Sequence, residues 1–121
     1  MKILVADDSR AMRMIVVRTL RQAGLGGHEI VEAEDGAIAL DLVTTFKPDL
    51  ILSDWNMPNL NGIDFLVALR ARGSQTPFCF VTSEGSPEMR DEAARCGAMA
   101  LIAKPFTPET FSDILSPVVS A

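Results

Sequence analysis

Four short apolar segments of this chain each lead into a polar residue whose side chain can take part in chemistry. The segments, with the polar residues that follow or end them, are 3–6 with Asp7 and Asp8, 50–53 with Asp54, 78–81 with Thr82, and 101–103 with Lys104. Apolar runs of this length, separated by segments with helical periodicity, are typical of parallel strands that are buried on both faces. Because ligands bind beyond the carboxyl ends of the strands in an open parallel sheet, these polar residues are predicted to meet at one site.

Strands and helices alternate five times along the sequence. The predicted strands cover residues 2–6, 29–33, 49–53, 78–82 and 99–103, and the predicted helices cover 10–23, 36–46, 62–72, 87–96 and 108–116. Gly24, Gly26 and Gly27 are expected to end the first helix, and Pro117 is expected to end the last one. The alternation predicts a doubly wound α/β fold in which right-handed crossovers join the five strands of a parallel sheet.

Length and charge favour a single acidic globular domain. The 121 residues match the usual size of one domain, and the net charge of −5 makes nucleic acid or an anionic membrane an unfavourable partner. No stretch reaches the roughly 18 apolar residues that a membrane span needs, and the apolar start is too short for a signal-peptide core. We therefore expect a cytoplasmic protein without an output domain, in which Cys79 and Cys96 are reduced thiols.

The residue types at the predicted site favour a divalent metal and a phosphoryl group. Asp7, Asp8 and Asp54 would repel one another there, and they cannot all stay ionised unless a cation compensates. Their hard oxygen atoms suit Mg²⁺ better than zinc, and no histidine or cysteine belongs to the pattern. The ammonium of Lys104 would offset the negative charge of phosphoryl oxygens.

Over its whole length the chain resembles the receiver domains of two-component response regulators. The motifs that carry the resemblance are Asp7-Asp8, Asp54-Trp55-Asn56-Met57-Pro58, Asn61-Gly62, Thr82 and Lys104-Pro105-Phe106. Within the family, the chain is most similar to the stand-alone, CheY-like members. The resemblance implies a flavodoxin-like sheet with the strand order 2-1-3-4-5 and a single receiver domain over residues 1–121.

The resemblance also implies a Mg²⁺ site. Asp8 and Asp54 are expected to supply carboxylate oxygens to the ion, and Asn56 is expected to supply its backbone carbonyl. Asp7 is expected to act through a water molecule.

Phosphoryl transfer to Asp54 is the reaction that the resemblance implies. Asp54 would act as the nucleophile and form an aspartyl phosphate, a mixed anhydride. Lys104 would neutralise the phosphoryl oxygens, helped by a cis bond to Pro105 that aims the lysine into the site. Thr82 would donate its hydroxyl to the bound group and so couple phosphorylation to the loop at 82–87.

A signalling switch follows from these roles. The phosphoryl donor would be a histidine kinase or a histidine phosphotransfer protein, and the chain would assist its own phosphorylation and dephosphorylation without being a turnover enzyme. The signal would reach an output partner through the face made by the fourth helix, fifth strand and fifth helix. A monomer is expected, and chemotaxis is the pathway that the CheY-like resemblance suggests.

One position departs from the family pattern and keeps an alternative function open. Receiver domains usually have an aromatic residue three positions before the lysine, but here that position is Leu101, and the chain has no tyrosine. Leucine can fill space vacated by Thr82, yet it lacks the ring and hydroxyl that output partners often read. The alternative is therefore a phosphate sink or shuttle in a phosphorelay, which needs Asp54 but no output surface.

Two other classes of function are disfavoured. A Mg²⁺-dependent phosphohydrolase of the haloacid dehalogenase type needs an Asp-x-Asp pattern after the first strand, whereas Asp7 and Asp8 are adjacent. Nucleotide binding needs a glycine-rich phosphate loop after the first strand, and the sequence has none there.

The first helix carries apolar residues on two sides. Its predicted core-facing stripe consists of Met12, Ile15, Val16, Leu20 and Ala23. Met14 and Val17 lie off this stripe, so they either pack partly under neighbouring loops or form an apolar patch for a helical partner. The resemblance implies that the first helix and the loop after the fifth strand dock on the helices that carry the histidine of the kinase.

Overall fold

The computed structural model describes residues 1–25 and 27–119, so Gly26, expected to help end the first helix, lies outside the described residues. The strands are β1 (Lys2–Ala6), β2 (Glu29–Ala33), β3 (Leu50–Ser53), β4 (Phe78–Thr82) and β5 (Ala100–Ala103). All neighbouring strands pair in parallel, and the sheet has the order β2-β1-β3-β4-β5. The predicted doubly wound α/β fold and its strand order are therefore confirmed.

Helices connect the successive strands. They are α1 (Arg10–Gln22), α2 (Gly36–Phe46), α3 (Gly62–Ala71), α4 (Pro87–Arg95) and α5 (Pro108–Val119). Apart from the end of α5, each predicted helix or strand boundary lies within one residue of the observed one. No helix in the described ranges is long and apolar enough to cross a membrane.

The prediction that Pro117 ends the last helix is wrong. Helix α5 continues through Pro117 to Val119. A proline so near a helix end removes only one backbone hydrogen bond, and packing can offset that loss. Leu115 is fully buried and Val118 packs against the same apolar cluster, while the Ser116 hydroxyl donates to the Ser112 carbonyl.

The two faces of the sheet bury alternate residues of each strand. In β1, Leu4 and Ala6 belong to one apolar cluster and Ile3 and Val5 belong to the other. This is the period of two that a strand imposes, and it explains why the strands read as continuous apolar runs. Helices α2, α3 and α4 cover the first cluster, whereas α1 and α5 cover the second. The central strands are thereby rigid supports for the residues at their carboxyl ends.

Polar side chains begin the helices immediately beyond the strands. Ser9, Asp35, Asn61 and Ser86 each accept a hydrogen bond from a backbone N–H in the first turn of α1, α2, α3 and α4, respectively. Such N-caps satisfy otherwise unpaired amide groups and set where each helix begins. The β1–α1 and β4–α4 loops are short because their helices start so soon, whereas the β3–α3 loop runs from residue 54 to residue 61 before Asn61 caps α3.

The loop from β3 to α3 closes on itself at Gly62. The Gly62 N–H donates to the Trp55 carbonyl at 2.7 Å. A Cβ atom added at Gly62 would lie 2.2 Å from the Asp54 carbonyl oxygen, which is a rigid backbone atom. Only glycine allows this close approach.

We predict that Gly62→Ala destabilises the protein by about 2 kcal/mol or more, because the backbone must shift to admit the methyl group. Urea denaturation measures the change. Gly27→Ala is the matched control, since an added Cβ there meets no atom within 4 Å. Equal stability of the two variants would contradict this account of the loop.

Candidate functional site

Three carboxylates meet at the carboxyl ends of β1 and β3. The register pairs Ala6 with Ser53, so Asp7 and Asp54 leave the sheet side by side. Each of Asp7, Asp8 and Asp54 offers a carboxylate oxygen, and these atoms all lie within 4.8 Å of one another. Asp7 is buried, Asp54 is half-buried and Asp8 is exposed. An all-oxygen set that is open to solvent on one side fits a hard divalent cation such as Mg²⁺.

Lys104 reaches this carboxylate cluster from the end of β5. Its Nζ lies 3.2 Å from Asp7 Oδ2 and 3.7 Å from Asp54 Oδ2. The Lys104 N–H donates to the Thr82 carbonyl at 2.8 Å, which extends the β4–β5 pairing as far as the lysine. The Lys104–Pro105 bond is cis, as the resemblance predicted. The Lys104 ammonium therefore faces the carboxylates of Asp7 and Asp54, the two less exposed members of the cluster.

Asp54 is held at both its backbone and its side chain. Its N–H donates to the Ala6 carbonyl at 2.8 Å, which continues the pairing of β3 with β1. Its Oδ1 accepts the Trp55 N–H at 2.7 Å, whereas Oδ2 is the oxygen that faces Lys104. Trp55 itself is buried against Phe80, with ring centroids 4.7 Å apart. The Asp54 carboxylate therefore has a fixed orientation, in which Oδ2 is turned toward the ammonium of Lys104.

Asp7 carries an unfavourable charge in this setting. Burial, followed by repulsion from Asp54, raises the pKa of Asp7 above its ordinary value, although the Ser9 N–H and the Lys104 ammonium oppose the shift. The Ser9 N–H donates to Asp7 Oδ1 at 2.9 Å. The carboxylates of Asp7 and Asp54 therefore repel each other, and a bound cation would reduce that repulsion.

Thr82 lies at the end of β4 and is completely buried. Its Oγ1 accepts the Glu84 N–H at 3.4 Å, and the Asn56 Nδ2 donates to Glu84 Oε1 at 3.4 Å. These contacts join the β3–α3 loop to the β4–α4 loop across the mouth of the site. Asn56 and Glu84 therefore lie together, two residues beyond Asp54 and Thr82, respectively.

Sequence reasoning missed the contact that Arg13 makes with the site. Arg13 lies off the predicted core-facing stripe of the first helix, but its Nη1 donates to the Asp7 carbonyl at 2.7 Å and its Nε pairs with Glu32 at 3.0 Å. No local sequence pattern signals the pairing with Glu32, because it depends on how α1 packs beside β2.

A second missed contact joins Asp35 to Asn59. The Asn59 Nδ2 donates to Asp35 Oδ2 at 2.9 Å, so the start of α2 is tied to the β3–α3 loop. The pKa of Asp35 is lowered by its hydrogen bond from the Ile38 N–H and by the bond from Asn59. The Asp-Gly pair at 35–36 indicates a helix cap, but the partner at Asn59 has no sequence signal.

The apolar faces of α1 differ from the prediction. Met12 and Ile15, assigned to the core stripe, are only half-buried and line an open groove of about 460 Å³ together with Lys104, Pro105 and Phe106. Thr19 is buried in the stripe instead, and its hydroxyl donates to the Ile15 carbonyl at 2.7 Å. An apolar rim therefore borders the carboxylate cluster.

Met14 and Val17, the two apolar residues of α1 that lie off the predicted core-facing stripe, have different environments. Met14 is 61% exposed, whereas Val17 is half-buried against the cluster that α1 and α5 share. Both line a shallow groove of about 620 Å³ that also includes Arg18, Arg21 and Glu32. Of these two residues, only Met14 is as exposed as an apolar patch for a helical partner requires.

We predict that Asp7→Asn stabilises the metal-free protein at pH 7. Because the pKa of Asp7 is raised in the folded chain, the folded state binds its proton more tightly than the unfolded state does. The wild type therefore loses stability as the pH rises through the interval that starts near 3.8 and ends at the raised pKa. Asp7→Asn removes that loss, and urea denaturation with a chelator present measures the gain.

The exposed Asp41 on α2 provides the control for this comparison. Asp41→Asn should change the urea midpoint at pH 7 much less than Asp7→Asn does. A lower urea midpoint for Asp7→Asn than for the wild type at pH 7 would show that the bond to Lys104 outweighs burial and repulsion.

The match to known proteins covers nearly the whole chain. The response regulator receiver domain model matches residues 3–116. The chain is 39% identical over 115 residues to the chemotaxis protein CheY of Pseudomonas aeruginosa, covering 93% of this chain and 91% of that protein. It is 38% identical over 122 residues to a chemotaxis protein CheY homolog of Campylobacter jejuni, covering 98% and 92% of the two chains.

Solved structures agree with the sequence match. Chemotaxis protein CheY4 of Vibrio cholerae superposes with a TM-score of 0.84 at 39% identity, and the match covers 97% of each chain. Receiver domains are signalling switches rather than turnover enzymes, they bind Mg²⁺ at an acidic pocket, and they work with phosphoryl donors and output targets. This chain belongs to the response regulator receiver family, and it is a CheY-like, phosphorylation-dependent switch.

Proposed function

We propose that the chain accepts a phosphoryl group on Asp54 from a histidine kinase or a histidine phosphotransfer protein, in a Mg²⁺-dependent reaction. The observation that carries the proposal is the convergence of three carboxylates and one lysine at a single sheet edge, with Lys104 Nζ 3.7 Å from Asp54 Oδ2. The signal then passes through protein contacts, in a cytoplasmic chemotaxis pathway like those named for the two CheY relatives.

In the transfer step, a carboxylate oxygen of Asp54 attacks phosphorus. A bond forms between that oxygen and phosphorus, while the bond from phosphorus to the donor nitrogen breaks and leaves its electron pair on the nitrogen. The Trp55 N–H fixes Oδ1, so the carboxylate is oriented before the donor arrives. Lys104 is placed to pair with the phosphoryl oxygens, and the chain thereby assists its own modification.

Mg²⁺ would be held by the carboxylates of Asp8 and Asp54 and by the backbone carbonyl of Asn56, with Asp7 acting through water. When bound, the ion would supply positive charge that offsets the charge of the phosphoryl oxygens. Asp7 and Lys104 already form a short ion pair at 3.2 Å, so the lysine keeps Asp7 oriented toward the cluster.

Removal of the phosphoryl group needs a water molecule on the open side of the site. Asn56 and Glu84 border that side, and their side chains contact each other at 3.4 Å. We propose that this pair sets how readily water approaches the aspartyl phosphate, and therefore sets the lifetime of the signal.

The first test uses beryllofluoride, a mimic of the phosphoryl group, together with Mg²⁺. Trp55 is buried beside Asp54, so its fluorescence should change on binding, and NMR signals of residues 82–104 should shift. Asp54→Asn should abolish the response, because the variant lacks the carboxylate oxygen that the mimic binds. It should also block labelling by small phosphodonors.

Asp64→Asn is the control for this test, since Asp64 lies on the exposed face of α3. It should respond like the wild type. A wild-type protein that shows no response to Mg²⁺ and beryllofluoride would refute the proposed function.

The contacts of Leu101 support a route by which phosphorylation at Asp54 reaches the output surface. Leu101 is 7% exposed, and its Cδ2 would lie 3.7 Å from a Cβ added at Gly85 in the β4–α4 loop. Arg90 on α4 donates from Nη1 to the Leu101 carbonyl at 2.9 Å and from Nε to the Gly85 carbonyl at 3.3 Å. We propose that a shift of Thr82 reaches the α4–β5–α5 face through these contacts, and that a monomer presents this face to its partner.

A phosphate sink or shuttle is the second candidate, and the replacement of the usual aromatic residue by Leu101 favours it. The same NMR experiment separates the two functions. A switch should show shifts near Leu101 and Met99, which is 40% exposed on the output face. Shifts confined to Asp54 and its immediate neighbours would favour the sink.

We propose that the kinase docks on α1 and the loop after β5. The support is the apolar rim that Met12, Ile15 and Phe106 form beside Lys104, together with the 61% exposure of Met14 farther around the helix.

Met14→Asp should slow phosphoryl transfer from the cognate kinase by about tenfold, since a buried charge at the interface must be desolvated. Labelling by a small phosphodonor should be unchanged. Val67→Asp is the matched control, because Val67 is 48% exposed on α3, on the opposite face of the sheet. Equal slowing of transfer from the kinase and from the small donor would contradict this docking surface.

A further inference from the structure

We propose that Asp35, which lies outside the carboxylate cluster, is a positioning residue for the metal site. Through Asn59 it holds the β3–α3 loop, residues 55–61, in the shape that presents the Asn56 carbonyl. The inference rests on the proposed function, because it assumes that this loop contributes to a Mg²⁺ site.

Each oxygen of the Asp35 carboxylate accepts a hydrogen bond from a different segment of the chain. Oδ1 accepts the Ile38 N–H at 2.8 Å and begins α2, whereas Oδ2 accepts the Asn59 Nδ2 at 2.9 Å. Asp35 is only 6% exposed, so water competes little for either oxygen. With both oxygens engaged, the carboxylate cannot rotate without breaking one of these bonds.

Asn59 adopts a backbone conformation that needs support. Its φ is 67°, a positive value that most residues avoid and at which asparagine is enriched. The Leu60 N–H donates to the Pro58 carbonyl at 2.7 Å, so Asn59 is the central residue of a γ-turn, a rare and strained conformation when φ is positive. The bond to Asp35 fixes the direction in which this turn leaves the sheet.

A second contact between the same two segments makes them move together. A Cβ atom added at Gly36 would lie 2.0 Å from the Leu60 carbonyl oxygen, so the first turn of α2 packs directly on the loop backbone. A displacement of Asp35 is therefore transmitted to Leu60 as well as to Asn59.

The residues on either side of Asn56 are anchored in the fold. Trp55 and Met57 are buried in the first apolar cluster, and the Gly62 N–H bonds to the Trp55 carbonyl at 2.7 Å, while the exposed Asn56 side chain contacts Glu84 at 3.4 Å. Residues behind a metal ligand typically change metal affinity by about 10–100-fold when they are substituted. Asp35 and Asn59 would act in this way on the far end of the loop, without being ligands themselves.

The experiment reverses the polarity of the Asp35–Asn59 pair. Asp35→Asn keeps the cap on Ile38, and the Asn59 amide can flip so that its Oδ1 accepts a hydrogen bond from the amide introduced at position 35, so this is the milder change. Asn59→Asp places two carboxylates against each other. The double variant with both changes restores one amide-to-carboxylate bond, and aspartate, like asparagine, is enriched at positive φ.

The readout is the Mg²⁺ dissociation constant, obtained by titrating Trp55 fluorescence. Asn59→Asp should weaken Mg²⁺ binding by about tenfold and Asp35→Asn by less, and the double variant should recover most of the loss that Asn59→Asp causes. In metal-free protein, hydrogen exchange of the Leu60 and Gly62 amides should be faster in Asn59→Asp and slower again in the double variant.

Asp49→Asn is the matched control. Asp49 Oδ2 also accepts a backbone N–H, from Lys2 at 2.8 Å, but at the opposite edge of the sheet. The same chemical change there should leave Mg²⁺ affinity unaltered. Should Asn59→Asp fail to fold, Asn59→Gly removes the same bond, and glycine adopts the positive φ at this position without steric cost.

The outcomes separate this inference from the proposed function. A wild-type protein that does not bind Mg²⁺ would overturn the proposed function and, with it, this role. Normal Mg²⁺ binding by the wild type, with unchanged affinity in Asn59→Asp or Asn59→Gly, would overturn the positioning role alone. Weaker binding in Asn59→Asp without recovery in the double variant would also count against it, because the paired bond would then not be the cause.

Discussion

Electrostatic repulsion among Asp7, Asp8 and Asp54 is the constraint on which the rest of this structure depends. One carboxylate oxygen from each of these residues lies within 4.8 Å of the others, so a rigid support and a nearby cation favour keeping the three groups together. The support is the buried centre of the sheet, where β1 and β3 pair up to the residues just before the two aspartates. Lys104 supplies part of the positive charge, and the remaining repulsion is what makes the site receptive to a divalent metal.

The loops around the cluster divide its tasks. The β3–α3 loop, tied to α2 by Asp35 and Asn59, belongs to the metal side of the proposed reaction. The β4–α4 loop, tied to β5 by Arg90, belongs to the output side. Both loops meet at the contact between Asn56 and Glu84. Chemistry at Asp54 can therefore act on two neighbouring segments whose supports lie in different parts of the fold.

Sequence reasoning succeeded where a repeating pattern or a local cap carries the information. The strands alternate their two buried faces with a period of two, and polar residues mark where each one ends, so their positions and the convergence of Asp7, Asp54 and Lys104 were predictable. Pro117 misled the prediction because buried packing of Leu115 and Val118 offsets one missing hydrogen bond. The stripe assigned to α1 was partly wrong, because periodicity cannot show that Ile15 meets an open groove rather than a neighbouring helix.

The sequence by itself determined the order of strands and helices, the family and the chemical groups available at the sheet edge. These follow from the spacing of apolar residues and from motifs that are local in the chain. Only the tertiary structure decided that Arg13 pairs with Glu32 and that Asp35 pairs with Asn59, because these bonds join residues 19 and 24 positions apart in sequence. The geometry of these two bonds depends on how helices and loops pack, and no local pattern in the amino-acid sequence signals that packing. The four apolar runs thus specify where the site forms, while contacts between loops specify how firmly it is held.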